Sequence, residues 1–185
     1  PARVVRHGEG PASEILDALV CEGSIIASAT LSKVMLGYDC IVASGSVIEN
    51  AVLLSGCNVG SGAKLRQVLL DKNCSIAPGV EIGHNPARDR ERFPFVTESG
   101  IVVLPKGTFV PAKGPVSFPH DMHEVLSKDP ATRDAMASLA ERGGYVVADR
   151  DRHSFESAGP RYRRYTRTGM TSLGSPGTNP VNTGD

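Results

Sequence analysis

The sequence predicts an all-β fold, a parallel β-helix of about four coils built from hexapeptide repeats, with a short α-helical appendage and a disordered C-terminal tail. Residues 18–83 divide into four segments of 16 or 18 residues, each with one cysteine near its start. Within them runs a beat of about six, in which an aliphatic residue precedes a small or acidic one and, after two further positions, another small one. The chain has no tryptophan and only 5% aromatic residues, which suits an interior of stacked aliphatic side chains.

The six-residue beat indicates which side chains point inward. Ile26, Val42, Val59 and Ile76 each begin such a unit, so we expect them inside the column. Tight corners need a permissive backbone, and glycine supplies it. The glycines that we expect at corners are Gly37, Gly45, Gly56, Gly60, Gly62 and Gly79.

The chain outside the repeats follows from local signals. Asp129 can cap a helix whose first turn accepts Pro130, and Gly143 with Gly144 would end it. Three prolines between 108 and 119 indicate an extended linker, and the composition after 148 is typical of disorder. The predicted parts are a lead-in (1–17), the coils (18–83), a charged excursion with a return strand (84–107), a linker with one helix (108–148) and the tail (149–185).

Composition excludes several classes of partner and site. The formal net charge is zero, which gives no bulk attraction to nucleic acid, and no apolar run is long enough to span a membrane. The Tyr- and Arg-rich segment 160–167 could stack on single-stranded nucleic acid, but we interpret it as a basic disordered tail. The four cysteines recur once per segment without a Cys-x-x-Cys pair, so we expect a ladder of buried, reduced thiols in a cytoplasmic protein.

Three apolar triplets predict a surface for a partner. The triplets begin at Val34, Val52 and Val68. If the third residue of each points inward, strand alternation turns the second outward. The predicted outward residues are Met35, Leu53 and Leu69. A stripe of three exposed apolar side chains is typical of a contact with another domain or subunit.

Several further motifs resemble one enzyme family. They are Ser46-Val47-Ile48-Glu49-Asn50, Leu65-Arg66-Gln67-Val68, Leu70-Asp71-Lys72, Ile76-x-Pro78-Gly79, the charged insertion ending Arg92-Phe93, and Gly100-Ile101-Val102-Val103. From Pro1 to about Gly107 the chain resembles the C-terminal domain of glucose-1-phosphate adenylyltransferases (ADP-glucose pyrophosphorylases). That resemblance implies a left-handed β-helix, an exception to the usual right-handed crossover.

The resemblance also implies a function. Such enzymes use Mg²⁺ to condense ATP with glucose 1-phosphate into ADP-glucose and pyrophosphate, for glycogen or starch synthesis. The chemistry belongs to an N-terminal nucleotide-binding catalytic domain, whose Gly-rich phosphate loop we do not find here, so this chain alone is expected to be inactive. The domain it resembles serves homo-oligomer assembly, as a tetramer, and allosteric control by a phosphorylated small-molecule effector, either a sugar phosphate or a nucleotide. The effector-binding positions fall on Lys72 and Lys106, with Arg66 and Arg92 as weaker candidates.

Other readings stay open at this point. A nucleotidyltransferase acting on a different sugar or nucleotide would share these coils. A hexapeptide-repeat acyltransferase would need a general-base histidine, for which His84 is the candidate. His120 and His123 are three positions apart, but no third ligand is evident, so no metal site is predicted.

Overall fold

The structure, a computed structural model, describes residues 1–8 and 10–148. Short strands dominate it, and every strand pair from β1 to β14 is parallel. The strands are β1 (Arg3–Val5), β2 (Glu14–Leu16), β3 (Leu19–Val20), β4 (Ile25–Ala27), β5 (Thr30–Leu36), β6 (Ile41–Val42), β7 (Val47–Leu53), β8 (Asn58–Val59), β9 (Lys64–Arg66), β10 (Val68–Leu70), β11 (Ser75–Ile76), β12 (Glu81–Ile82), β13 (Val102–Leu104), β14 (Phe109–Val110), β15 (Val116–Pro119) and β16 (Tyr145–Ala148). The helices are α1 (Pro86–Arg92), α2 (His120–Leu126) and α3 (Pro130–Glu141).

Two sheets organise the strands. One has the order β1-β4-β6-β8-β11-β14-β15-β16. In the other, β7 pairs with β5 along its whole length, while its first half pairs also with β9 and its second half with β10. Parallel pairing of short strands one repeat apart fits the predicted β-helix and not an ordinary antiparallel sandwich.

The chain bends between strands at residues with a left-handed backbone, and these residues recur in register. One set comprises Asp17, Lys33, Asn50 and Gln67. A second comprises Ser28, Gly45, Gly62 and Gly79, and a third comprises Gly23, Asp39, Gly56, Asn73 and Gly107. Most successive members are 17 positions apart, so the same bend is repeated once per repeat. The bends therefore use Asn, Asp, Lys, Gln and Ser as well as glycine.

Two of the predicted corner glycines have a different role, because their backbone is not left-handed. A Cβ added at Gly37 would lie 2.7 Å from the backbone nitrogen of Ser55. A Cβ at Gly60 would lie 2.5 Å from the nitrogen of Pro78. Neighbouring repeats pass so closely at these points that no side chain fits between them.

The interior is a column of aliphatic side chains, as the sequence predicts. Ile26, Val42 and Val59 have no exposed surface, and Ile76 is 3% exposed. The thiol ladder is only partly as predicted. Cys40, Cys57 and Cys74 are buried in adjacent repeats.

Cys21 does not join the thiol ladder and is partly exposed. The pairing of β4 with β6 aligns Ile25 with Ile41, so Ser24 takes the position above Cys40, and Cys21 lies three residues before it. The Ser24 hydroxyl donates to the Gly37 carbonyl (2.8 Å), as Cys40 Sγ does to Leu54 (3.3 Å) one repeat later. The position therefore requires a small donor, and oxygen or sulfur can supply it.

The structure corrects the prediction for residues 108–119. The sequence predicts extended linker, but the segment contributes β14 and β15 to the first sheet. Val110, Val116 and Phe118 are fully buried there. The prolines flank these strands or stand at an end, where a missing N–H costs no ladder hydrogen bond.

The predicted helix is present as α3. The Asp129 side chain accepts a hydrogen bond from the Thr132 backbone N–H at 2.8 Å, and Pro130 occupies the first turn. Its buried residues are Met136 and Leu139. The prediction of disorder for 149–185 lies outside the described residues.

Candidate functional site

Lys72 and Lys106 lie next to each other, although 34 positions separate them in the sequence. After the excursion, β13 returns to pair in parallel with β10, which restores the repeat register. The backbone N–H of Gly107 then donates to the carbonyl of Lys72 (2.8 Å). Both lysine side chains are exposed, so two positive charges stand on neighbouring repeats, with strands about 4.8 Å apart.

The lysines belong to a longer series at the same bend. The equivalent hydrogen bonds run from Asp39 to Glu22 (3.1 Å), from Gly56 to Tyr38 (2.8 Å) and from Asn73 to Ser55 (2.9 Å). These bonds align one residue from each of five repeats. We call this series the turn column: Glu22, Tyr38, Ser55, Lys72 and Lys106.

The turn column is charged unevenly. Its two cations are at one end, Glu22 is at the other, and the exposed ring of Tyr38 lies between. Asp71 flanks Lys72, and its carboxylate accepts from the Lys72 backbone N–H (2.6 Å), which leaves the ammonium group outside that hydrogen bond. Two exposed ammonium groups can hold a phosphate as point charges.

The predicted apolar stripe exists, but Leu53 is not part of it. Leu53 has no exposed surface and points into the core with Leu36 and Leu70. The strand register aligns Met35 with Val52, and Val52 with Leu69. The outward residue of the middle repeat is therefore Val52.

The reason is the spacing of the repeats. Val34, Ala51 and Val68 are 17 positions apart and all buried, so the middle triplet begins at Ala51, one residue before the position chosen from its apolar letters. In a strand, a shift of one residue moves every side chain to the opposite face. The register also adds Leu19 and Val103 to the surface, which we call the apolar strip: Leu19, Met35, Val52, Leu69 and Val103.

The two weaker arginine candidates lie elsewhere. Arg66 is on β9, 3.9 Å from a carboxylate oxygen of Glu49. Arg92 ends α1 and donates a hydrogen bond to the Pro111 carbonyl. Neither shares the turn column, and the guanidinium of Arg92 already has a partner.

The histidines of the alternative readings are also separate from any assembled site. His84 is exposed where the chain leaves β12, beside Asn85, which caps α1. Asp89 on α1 is buried, and its carboxylate accepts from the Gly83 N–H (3.0 Å); burial raises the pKa of this carboxyl. Within residues 1–8 and 10–148, no group of three or more His, Cys, Asp or Glu side chains could hold a metal ion.

The buried thiols are unreactive by environment. The neighbouring Cys57 thiol, together with burial, raises the pKa of Cys40 far above its usual range. The Cys40 thiol lowers the pKa of Cys57, but the Cys74 thiol and burial outweigh that effect and raise the pKa of Cys57 to about 12. Since the thiolate is the reactive form, these residues serve packing and not nucleophilic chemistry.

Comparison with known proteins identifies the family of the chain. Residues 1–104, more than half of the chain, match the family described as GlmU-like, C-terminal hexapeptide. The chain belongs to that family. Similar proteins include the glucose-1-phosphate adenylyltransferase of Acidothermus cellulolyticus, 54% identical over 110 residues that make up 60% of this chain and 25% of the relative. The relative of the same name in Arthrobacter sp. (strain FB24) is 33% identical over 157 residues, or 80% of this chain and 34% of the relative.

The family resemblance predicted from the sequence motifs is thus confirmed. A third relative, from Leifsonia xyli subsp. xyli, carries the same name and is 38% identical over 110 residues, 27% of its length. The chain therefore spans about a quarter to a third of the length of these curated relatives. In the part of the chain that the structure describes, no helix has the length and apolarity needed to cross a membrane.

Proposed function

We propose that this chain is the regulatory and assembly domain of a glucose-1-phosphate adenylyltransferase, folded as a left-handed β-helix of about four coils. The observation that carries the proposal is the match to three proteins of that name across the hexapeptide repeats. The parallel register of the strands and the recurring left-handed bends support the β-helix.

Catalysis belongs, in this proposal, to an N-terminal nucleotide-binding domain that the chain does not contain. That domain would hold Mg²⁺ and join ATP to glucose 1-phosphate for glycogen synthesis in the cytoplasm. The complete enzyme would be a homo-oligomer, a tetramer.

Lys72 and Lys106 form the proposed effector site. Their side chains are exposed on neighbouring repeats, and the Gly107–Lys72 hydrogen bond fixes the backbone between them. A phosphate placed between two ammonium groups a strand spacing apart would contact both. The effector is thus a phosphorylated small molecule.

The apolar strip is the proposed interface with the catalytic domain or another subunit. Met35 is 39% exposed and Leu69 is 37% exposed, whereas the residues on either side of them along the strand are buried. Full burial of a whole side chain of this kind is worth about 1.5–3 kcal/mol, and a partner that covers the part still exposed here would gain a corresponding fraction of that. Val52 takes the place for which Leu53 was predicted.

The function is tested on the full-length protein that contains this chain. Synthesis of ADP-glucose from ATP and glucose 1-phosphate is measured by release of pyrophosphate, with and without phosphorylated effectors. We expect Lys72→Ala and Lys106→Ala to leave basal turnover unchanged and to reduce the response to effectors, with Lys33→Ala as the control for loss of an exposed lysine. Absence of ADP-glucose synthesis, or turnover of acetyl-CoA that depends on His84, would overturn the proposal.

A further inference from the structure

The last strand of the first sheet, β16, has a free edge. Among residues 1–8 and 10–148 this strand pairs only with β15, so no neighbouring strand lies along its other side. It contains no proline and no charged residue, the features that usually protect a sheet edge from pairing with another chain. The strand also lies outside residues 1–104, which match the family. The edge is therefore a feature that the family match does not cover.

The hydrogen bonds to β15 determine which backbone groups of β16 are free. The Val116 N–H donates to the Gly144 carbonyl (2.9 Å), and Val116 is in register with Tyr145. Because bonded residues alternate along a parallel ladder, Val146 bonds to β15, while Tyr145 and Val147 direct their N–H and C=O groups to the other side. The free edge thus presents two donors and two acceptors.

The two faces of β16 carry different side chains. Tyr145 turns toward the core, where its ring packs against that of Phe118 with 5.4 Å between centroids. Val146 points to the opposite face and is 47% exposed. It is in register with Ser117, which is in register with Phe109, another exposed side chain. This face therefore carries uncharged side chains up to the free edge.

A second copy of the chain fits this edge. When two copies of β16 run antiparallel, Tyr145 of each can exchange both backbone hydrogen bonds with Val147 of the other, which makes four bonds in all. The two-fold axis then passes beside Val146. The two Val146 residues form a pair without hydrogen bonds, with Cα atoms about 4.5 Å apart. Each free backbone group of Tyr145 and Val147 gains a partner, which no shifted register achieves within Tyr145–Ala148.

The charges at the ends of β16 favour the antiparallel direction. Arg142 is exposed just before the strand, with Glu141 one residue farther away. Asp121 is exposed in the first turn of α2, directly after β15. Since β15 and β16 are parallel, Arg142 and Asp121 lie at opposite ends of the pair. Antiparallel docking brings the Arg142 end of one copy toward the Asp121 end of the other, whereas parallel docking would bring like ends together.

We infer that β16 is a docking edge for a second copy of this chain, which joins the two first sheets across a two-fold axis at Val146. The contact is separate from the apolar strip, whose residues belong to the second sheet. A stable interface buries about 1,200–2,000 Å² in total. Two strands of four residues cover less, so we expect weak association through this edge in the chain by itself.

Cross-linking at the axis tests the inference directly. In Val146→Cys the two introduced thiols would meet at a Cα separation that suits a disulfide. We expect air oxidation to convert this variant into a covalent dimer, measured on a non-reducing gel, several-fold faster than Val125→Cys. Val125 is the matched control because it is an exposed valine (56%) on α2, and the wild type gives the background from Cys21. Dimerisation of Val146→Cys no faster than the control would overturn the inference.

A charge at the same position gives a second test without an added cysteine. Val146→Lys would place two ammonium groups against each other across the axis, and the side chain is exposed, so the circular dichroism spectrum should not change. In sedimentation over a concentration series, we expect the wild type to associate and Val146→Lys to associate at least about tenfold more weakly, with Val125→Lys equal to wild type. Association that Val146→Lys leaves unchanged belongs to another surface, such as the apolar strip, and would overturn the inference. A wild-type chain that stays monomeric at every concentration would overturn it too.

Discussion

Replacing Leu53 with alanine tests the side-chain orientation on which the revised interface depends. Leu53 has no exposed surface, and in the ladder of the second sheet it lies between Leu36 and Leu70, which are equally buried. Two neighbouring repeats hold these residues at a fixed strand spacing, so the site cannot collapse around a missing side chain. We therefore expect a loss of about 2–5 kcal/mol in the free energy of unfolding, the range for truncating a buried leucine.

The matched control is Val52→Ala in the same strand. Val52 faces outward in the apolar strip, and its truncation should cost less than about 1 kcal/mol because solvent already reaches the side chain. Urea unfolding followed by circular dichroism gives both values. Equal destabilisation by the two variants, or a larger loss for Val52→Ala, would show that the register of β7 is wrong.

Three further predictions concern other buried or closely packed residues. In the native chain one thiol, that of Cys21, should react with a thiol reagent, and all four should react after unfolding; two or more fast native thiols would contradict the buried ladder. Burial raises the pKa of Asp89 in the folded state, so the free energy of unfolding should fall as pH rises from about 4, the ordinary pKa of an aspartate, through that raised pKa. Urea unfolding across pH should show this fall for the wild type and not for Asp89→Asn, and identical profiles would refute the assignment. Gly37→Ala should lower the free energy of unfolding by about 1–3 kcal/mol, measured by thermal unfolding, because the added Cβ would lie 2.7 Å from the backbone of the next repeat. An unchanged stability would contradict that close approach.

The lysine pair illustrates how far sequence reasoning reaches. The resemblance named Lys72 and Lys106, but only the return of β13 onto β10 brings them onto neighbouring repeats. Tyr38 was not predicted at all. A signal for it was present, since it precedes Cys40 by two residues, as Ser55 precedes Cys57 and Lys72 precedes Cys74.

By itself the sequence determined the class of fold, the family and the ends of α3. These depend on features that act locally or recur often: the six-residue beat, the motifs, and the caps at Asp129 and Pro130. Each of these signals lies within a few neighbouring residues. A miscounted residue in one repeat therefore does not change the prediction of the fold class or of the helix ends.

Only the tertiary structure decided which face Leu53 occupies, why Ser24 replaces Cys21 in the ladder, and how 108–119 becomes part of a sheet. Side chains alternate along a strand, so a miscount of one residue reverses inside and outside. The count is set by hydrogen bonds between repeats, which join residues far apart in the sequence and leave no local mark on it.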